Sequence, residues 1–204
     1  MQGLIFPIYS INGKLVGFGG RTLTNHGAKY VNSPQTSIFN KSKLLYGYHL
    51  AKEKIYKTKE IIVCEGYLDV IMLHQSGFNN AVATLGTALT KDHLPLLRRG
   101  EPRVILSYDG DKAGQNAAFK ASVMLSQNGF DGGVVIFENG ADPADMVKDR
   151  KIEELEELFS NPTPFANFAI SYIISSYNIN NPVEKQKALS EANEYLSSLS
   201  QLYQ

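Results

Sequence analysis

Three pairs of carboxylates, each placed just after an apolar run, are the first sign of chemistry in this sequence. One pair follows the run EIIVC, the next follows VILSY, and the third follows GGVVIF after a short polar turn. Such side chains repel one another unless a hard cation joins them, and Mg²⁺ prefers oxygen ligands. The sequence therefore predicts a Mg²⁺ site for phosphoryl transfer. The candidate ligands are Glu65, Asp69, Asp109, Asp111, Asp142 and Asp145.

Single carboxylates at these places also have simpler explanations. Asp69 lies in the first turn of a predicted helix, where an acidic side chain stabilises the helix dipole. Asp111 can cap the helix that begins at Lys112. An EF-hand is excluded, because position 113 is Ala and the expected terminal Glu is Lys120. Three acidic turns at successive strand ends nevertheless favour a metal site over capping alone.

Alternating strands and helices are predicted to position these carboxylates. The predicted strands are 60–64, 80–84, 103–108 and 133–138. The predicted helices are 43–56, 67–76, 90–99, 112–128, 150–159, 163–178 and 182–202. This order predicts an α/β fold with a mostly parallel sheet that is covered by helices on both faces. The carboxyl ends of such strands meet at the edge where open α/β sheets bind ligands.

The first forty residues differ from this pattern. Residues 4–18 predict a β-hairpin with a type I′ turn at Asn12-Gly13. The glycines of VGFGG let the backbone approach a neighbour or ligand closely. Residues 21–42 are polar and irregular, with basic and amide side chains among aromatic ones, which suits phosphates and bases. The candidate nucleotide- and DNA-binding residues are Arg21, Lys29, Asn32, Lys41 and Lys43.

Charge is distributed unevenly along the chain, although the formal net charge is zero. Residues 1–60 hold nine Lys or Arg against two acidic residues, and the first fifty hold no acidic residue. The remaining residues hold eleven Lys or Arg against eighteen acidic ones. A basic part joined to an acidic part predicts a polyanion on one side and a metal on the other.

Length and composition limit the classes of protein to which this chain can belong. A length of 204 residues and a hydrophobic content of 43% are typical of a globular protein. No apolar run approaches the roughly 20 residues that span a bilayer, and no signal peptide is visible. The single cysteine, Cys64, excludes an internal disulfide and a zinc cluster. A cytoplasmic location is therefore predicted.

Four motifs follow one another in the second part of the chain: EGYLDV, LGTA, YDGDKAG and GADP. Together they resemble the TOPRIM fold of bacterial DnaG-type DNA primases. The N-terminal segments FPI, VGFGGR, KYVNSP and IFNKSKLLYG resemble the primase segment that precedes TOPRIM. The resemblance covers roughly residues 3–150. It implies a basic subdomain over 1–58 (a partial RNA-polymerase core), a TOPRIM metal-binding domain over 59–149 and a helical subdomain over 150–204.

The resemblance also implies an activity, which is DNA-templated synthesis of short RNA primers from NTPs during replication. It makes Glu65 a metal ligand or proton-handling group and Asp109 and Asp111 a catalytic metal-binding pair. Asp69 would support the same acidic patch, and Asp142 matches the family's Asp-Pro turn. The implied cofactor is Mg²⁺, for which Mn²⁺ can substitute. The implied partners are single-stranded DNA, NTPs, the RNA primer and, through a C-terminal domain absent here, the replicative helicase.

The sequence departs from the family in three ways. An acidic residue usually follows Asp-Pro directly, whereas Ala144 intervenes here before Asp145, which leaves open whether Asp145 reaches a metal. The family's N-terminal zinc-binding domain has no counterpart, so no zinc is expected in this chain. We therefore expect the chain to be part of a longer protein and to polymerise poorly by itself.

Three other functions remain open from the residues alone. A topoisomerase needs a tyrosine nucleophile in a separate DNA-gripping domain, for which the chain has little room. A haloacid-dehalogenase-type phosphatase could use the DGD motif, but Ala113 and Gly114 fit its pattern badly. A module that binds metal and single-stranded DNA without turnover fits the same residues.

Overall fold

The structure, a computed structural model, describes residues 3–23, 30–137 and 141–200, with Ser200 described by its backbone only. The predicted binding residue Lys29 lies outside these ranges, as do the last residue of the predicted strand 133–138 and the last two residues of the predicted helix 182–202. The strands are β1 Gly3–Tyr9, β2 Leu15–Thr22, β3 Tyr30–Asn32, β4 Glu60–Cys64, β5 Ala81–Ala83, β6 Arg103–Tyr108, β7 Gly132–Ile136 and β8 Thr163–Pro164. The helices are α1 Tyr48–Thr58, α2 Tyr67–Gln75, α3 Leu94–Leu97, α4 Lys112–Ser126, α5 Pro143–Lys148, α6 Ile152–Ser160, α7 Phe165–Ser175 and α8 Pro182–Ser200.

The larger sheet has the strand order β5-β4-β6-β7-β8. β5, β4, β6 and β7 are parallel, and β8 pairs antiparallel with β7 at one edge. Its central strands, IIVC of β4 and VILSY of β6, are buried along their length. Strands that are apolar on both faces need cover on both, which explains their unbroken hydrophobic runs. The predicted α/β fold with a mostly parallel sheet is confirmed.

Helices cover both faces of this sheet. Ile61 and Val63 face one side, where they pack with residues of α1 and α4 and with Leu97 of α3. Ile62 and Cys64 face the other side, where they pack with residues of α2 and α6. The alternation along β4 is that of successive side chains in any strand. Both faces thus form hydrophobic cores, and the strand ends remain as the edge where side chains can face a ligand.

The smaller sheet has the order β1-β2-β3 and is antiparallel. The predicted hairpin is confirmed, but its type I′ turn is wrong. Gly13 has a φ of 76°, whereas Asn12 is not among the residues with positive φ, and a type I′ turn requires positive φ at both central positions. The N–H of Gly13 donates to the carbonyl of Ser10 at 2.9 Å. The loop is therefore one residue longer, with a left-handed glycine at its end.

The hairpin packs against the larger sheet's ligand edge. Phe6 and Ile8 of β1 contact Phe39, Tyr67 and Leu85 in one buried cluster. Tyr67 begins α2, and Leu85 lies in the loop after β5. The small sheet is therefore fixed over the end of the larger sheet where the acidic residues are predicted.

The predicted helix 43–56 begins later, at Tyr48. Residues Lys41–Lys43 form a 3₁₀ turn, and Tyr46 then pairs with Ala83 through two backbone hydrogen bonds of 2.8 and 3.1 Å. Gly47, with a φ of 78°, makes the turn into α1. The chain thus adds one bridge to the edge of the sheet before the helix starts, which apolar spacing alone did not reveal.

Two other helix predictions need correction. The predicted helix 90–99 is divided into a 3₁₀ turn, Lys91–His93, and the four-residue α3. Residues Pro143–Lys148 form α5, where an acidic turn and no helix was predicted. Proline at the first helical position and Asp142 as the N-cap are favourable starting residues for such a short helix.

The C-terminal helices lie against the rest of the chain. α7 packs on α4 and α8, with Ala169, Ile173 and Tyr195 buried between them. The hydroxyl groups of Tyr195 and Ser126 lie 2.9 Å apart. α6 joins the second face of the sheet through Leu155 and Phe159. The boundaries proposed for three domains stay a prediction. Within the described residues, no helix combines the length and apolar character needed to cross a membrane.

Candidate active site

A cleft of about 380 Å³ lies between the two sheets, at the carboxyl ends of the parallel strands. Five of the six predicted metal ligands line it, together with two of the predicted nucleotide-binding residues. The predicted residues on its wall are Glu65, Asp69, Asp109, Asp142, Asp145, Arg21 and Asn32. The structure thus brings the acidic side chains of one sheet to face a guanidinium and an amide of the other.

Strand order explains why the carboxylates meet. β4 pairs directly with β6, so that Cys64 lies opposite Ser107. Glu65 and Asp109 therefore leave the sheet side by side, and the backbone N–H of Asp109 donates to Oε1 of Glu65 at 3.2 Å. Burial, followed by the charge of Asp109, raises the pKa of Glu65 above its ordinary value. These two residues form the centre of the acidic wall.

The turn after β6 requires a glycine. A Cβ on Gly110 would lie 1.7 Å from the carbonyl oxygen of Phe137, which follows β7. Only a residue without a side chain allows the acidic turn to press against the neighbouring strand end. This close approach helps to hold Asp109 beside the end of β7.

Asp69 is the most buried of the carboxylates, with 8% of its surface exposed. Its Oδ2 accepts a hydrogen bond from the N–H of Gly66 at 3.0 Å, at the start of α2. Burial, and next the charge of Asp142, raise the pKa of Asp69 to about 7. The side chain is therefore both a helix cap and a wall of the cleft, so the two sequence-based explanations of Asp69 do not exclude each other.

The other aspartates begin helices. Oδ1 of Asp111 accepts from the N–H of Gly114 at 2.7 Å and caps α4. Oδ1 of Asp142 accepts from the N–H of Asp145 at 2.7 Å and caps α5. Asp142 and Asp145 line the cleft, whereas Asp111 is exposed and does not. The capping explanation of Asp111 is confirmed, and its metal role stays a prediction.

The opposite wall of the cleft comes from the small sheet. Arg21 on β2 pairs with Tyr30 on β3, and its guanidinium carbon lies 5.5 Å from the centroid of the Tyr30 ring. Asn32 donates from Nδ2 to the carbonyl of Leu85 at 2.8 Å. These contacts hold one positive charge and one amide over the acidic wall.

Tyr67 is a residue of this site for which sequence reasoning predicted no role. Its hydroxyl donates to Oδ1 of Asn32, and its ring stacks on Phe6 with centroids 5.0 Å apart. A Cβ on Gly19 would lie 2.7 Å from the ring, so the predicted close approach of this glycine is confirmed. The EGY motif itself was the signal, but only the fold shows that its tyrosine orients Asn32.

Two of the predicted lysines lie outside the cleft. Lys41 and Lys43 do not line the cleft and belong to the 3₁₀ turn at 41–43. That turn is held by the buried His93, whose Nε2 lies 3.1 Å from the carbonyl of Lys41. His93 therefore has a structural role, which is to hold this turn. Thr84 and Gly86, in the loop after β5, line the cleft although no site role was predicted for them.

Comparison with known proteins identifies the family. The family model of the Toprim domain matches residues 59–136, and that of the DNA primase catalytic core, N-terminal domain, matches residues 1–52. A DNA primase from Helicobacter pylori strain J99 is 58% identical over all 204 residues. The chain belongs to the DnaG-type DNA primase family.

Solved structures of DnaG-type primases share the fold. A DNA primase domain from Pseudomonas aeruginosa matches with a TM-score of 0.86 and 33% identity, over 97% of this chain and 63% of that one. A DnaG primase catalytic domain bound to single-stranded DNA matches with a TM-score of 0.84 and 34% identity, over 97% of this chain and 64% of that one. The chain spans 36% of the length of the Helicobacter pylori primase.

A Toprim domain in a DnaG-type primase implies a divalent cation, and the donors present fit one. The sheet side of the cleft presents carboxylates, and burial opposes the ionisation of Asp69 and Glu65. Among the described residues, no three His, Cys, Asp or Glu side chains lie close enough to form a ready ligand cluster. Mg²⁺ does not require such a cluster, because it keeps several waters and is often held by one or two carboxylates together with substrate phosphates.

Proposed function

We propose that this chain is the catalytic part of a DNA primase that joins NTPs into short RNA primers on a single-stranded DNA template. The observation that carries the proposal is the cleft in which five carboxylates face Arg21 and Asn32. A nucleoside triphosphate bound there would have its phosphates between a positive side chain and an acidic wall. Such an arrangement needs a cation to join phosphates to carboxylates, and this is the requirement of metal-dependent nucleotidyl transfer.

The acidic wall would hold Mg²⁺, with Mn²⁺ able to substitute. Glu65, Asp109 and Asp111 are the proposed catalytic ligands, and Asp69, Asp142 and Asp145 extend the same wall. Bound Mg²⁺ would neutralise phosphate charge and activate the attacking oxygen. Glu65, which lies beside Asp109 at the centre of this wall, is also the group proposed to accept the proton of the attacking 3′-hydroxyl.

The small sheet would hold the nucleotide. Arg21 supplies a permanent positive charge for the triphosphate, and Asn32 supplies an amide that Tyr67 and Leu85 keep in one orientation. Lys29, Lys41 and Lys43 extend the basic part of the chain and suit the template backbone or the triphosphate. The 3′-oxygen of the primer would form a bond to the α-phosphorus as the bond to pyrophosphate breaks.

Partners and location follow from the same proposal. One DnaG-type relative has been solved bound to single-stranded DNA, which supports a DNA template here. The RNA primer and NTPs are the other substrates, and the replicative helicase is the proposed partner of the full-length protein. A bacterial cytoplasmic location at the replication fork is consistent with these partners.

Incorporation of labelled NTPs on a single-stranded DNA template with Mg²⁺ tests the proposal in the full-length protein. Asp109→Asn should lower the rate by about 100-fold, because it removes a charge from the acidic wall while keeping the side-chain shape. Asp131→Asn is the matched control, since Asp131 is exposed and precedes β7 at the opposite end of the sheet. Full synthesis by Asp109→Asn would refute the metal assignment.

A second function is tested by the same experiment. A module that binds metal and single-stranded DNA without catalysis would bind both but incorporate no nucleotide, even at full length. Such a result would replace the primase proposal, because the cleft would then serve binding alone.

A further inference from the structure

We propose that a second pocket, which shares Glu65 with the cleft but is not lined by Arg21, receives the nucleoside at the 3′ end of the growing primer. This inference rests on the proposed function and assigns the attacking substrate to a place in the fold. The pocket has a volume of about 400 Å³, which falls in the range of small-molecule sites. It lies between the loop after β5 and the beginning of α4.

The pocket and the cleft share a wall. Glu65, Thr84 and Gly86 line both. Thr84 is almost completely buried, and Gly86 has a φ of 68°, in the left-handed region that favours glycine. A molecule in the pocket and a molecule in the cleft would therefore meet at Glu65, the residue at the centre of the acidic wall.

The lining of the pocket differs from that of the cleft. None of its described lining residues is Lys, Arg or His, so the pocket offers no positive charge for a triphosphate. Its lining includes the small side chains of Ala113 and Ala117 of α4 and the hydroxyl-bearing residue Thr87. Hydroxyl groups both donate and accept hydrogen bonds, which suits the hydroxyls of a ribose. The chemistry fits an uncharged nucleoside better than a polyphosphate.

The two spaces match the two substrates of nucleotidyl transfer. The cleft would hold the NTP with its phosphates near Arg21, and the pocket would present a 3′-hydroxyl toward the α-phosphorus. The oxygen of that hydroxyl forms the new bond to the α-phosphorus, its proton passes to Glu65, and pyrophosphate departs with the electron pair of the broken bond. Holding both reactants at one shared wall replaces a collision in solution with an oriented encounter.

Two variants test the pocket by primer extension with the full-length protein on a pre-annealed RNA–DNA substrate. Ala113→Leu fills the space from an exposed position of α4, where leucine is also a good helix former. Thr87→Val removes one hydroxyl while keeping the side-chain volume. Asn116→Leu is the matched control, because Asn116 is an exposed residue of α4 that does not line the pocket.

The KM for the primed template should rise about tenfold in Ala113→Leu, because the larger side chain should weaken binding of the primer end by the same factor. Thr87→Val should raise it by a smaller factor, and the KM for NTP should stay within about twofold in both variants. An unchanged KM for primed template in both variants would overturn the inference, as would a rise confined to the KM for NTP. An equal rise in Asn116→Leu would also overturn it.

The proposed function and this inference fail in different ways. If the unsubstituted protein does not extend the primer, the primase proposal is refuted and the inference falls with it. If extension proceeds normally and the pocket variants match the control, only the inference is refuted.

Discussion

Asp69 shows how strongly burial changes the chemistry of one side chain in this cleft. An aspartate has a pKa of about 3.9 in an unfolded chain, and in the folded protein burial and the charge of Asp142 raise the pKa to about 7. The folded protein then binds the proton more tightly than the unfolded chain does. The contribution of Asp69 to the free energy of unfolding is therefore fully present below pH about 4, and it is lost as the pH rises toward about 7.

Asp69→Asn should remove this pH dependence. We expect the free energy of unfolding at pH 8 to rise by about 2 kcal/mol in the absence of divalent cations, with little change at pH 4. The asparagine oxygen can still accept from the N–H of Gly66. Urea unfolding of both proteins with EDTA, at several pH values from 4 to 8, measures the difference. A variant that is equally destabilised at all pH values would contradict the raised pKa of Asp69.

Tyr67 affects the cleft indirectly, because its hydroxyl positions the side chain of Asn32. Tyr67→Phe removes the hydroxyl that donates to Asn32 and keeps the ring that stacks on Phe6. Without this contact Asn32 should reorient, and the KM for NTP should rise by about fivefold with a smaller change in kcat. Steady-state incorporation kinetics measure both constants.

Tyr46→Phe is the control for this substitution, since the Tyr46 ring also contacts Tyr67, with centroids 4.7 Å apart. A loss of stability in Tyr67→Phe with an unchanged KM would restrict Tyr67 to packing.

At the scale of elements, helix starts position the acidic residues. An N-cap aspartate, whose side chain accepts a backbone N–H, precedes each of α4 and α5, and the N-cap of α2 is Gly66, whose N–H donates to Asp69. A cap uses one oxygen of a carboxylate and leaves the other for a ligand. Caps and metal ligands can therefore be the same residues, as the cleft-lining Asp142 suggests.

Asp111 allows the two roles to be separated. Asp111→Ala should lower the free energy of unfolding by about 1 kcal/mol, because α4 loses its N-cap. Asp111→Asn keeps a capping oxygen and should preserve stability, yet it removes the charge proposed to bind Mg²⁺ and should lower NTP incorporation. Thermal unfolding and incorporation assays on both variants give the comparison. Normal activity in Asp111→Asn would leave the cap as its only role.

The elements also show where apolar spacing misleads. Leu44, Leu45 and Tyr48 have the spacing of one helix face, but the helix begins only at Tyr48, because Tyr46 pairs with Ala83 at the sheet edge. That bridge joins residues 37 positions apart. The local spacing of apolar residues does not reveal a hydrogen-bonding partner at that distance. Tertiary hydrogen bonding here overrides a weak helix preference.

At the scale of the whole molecule, the two kinds of charge occupy different walls of one cleft. The basic N-terminal part contributes Arg21 and the acidic part contributes the carboxylates. A nucleic acid bound beside this cleft would contact the basic part and release counterions. Affinity for single-stranded DNA should therefore fall steeply as salt increases.

A pair of charge reversals tests which part binds DNA. Lys41→Glu with Lys43→Glu should weaken binding of a single-stranded oligonucleotide and reduce the slope of log affinity against log salt by roughly 1. The control is Lys185→Glu with Lys187→Glu, which reverses two exposed lysines on α8. Fluorescence anisotropy at several salt concentrations measures both. Equal effects of the two pairs would argue against the basic part as the DNA surface.

The sequence by itself determined the class of fold and the acidic character of the site. Unbroken apolar runs that end in Glu65 and Asp109 predict buried parallel strands with carboxylates at their ends, because both features depend only on neighbouring residues. The absence of acidic residues from the first fifty positions likewise separates a basic part from an acidic one.

Only the tertiary structure decided which residues meet. Strand order places β4 beside β6, so Glu65 lies next to Asp109 although 44 positions separate them. Packing of the hairpin onto α2 brings the Tyr67 hydroxyl to Asn32, and the end of β6 leaves Asp111 as an exposed cap. These arrangements depend on contacts between distant segments, which local spacing does not encode.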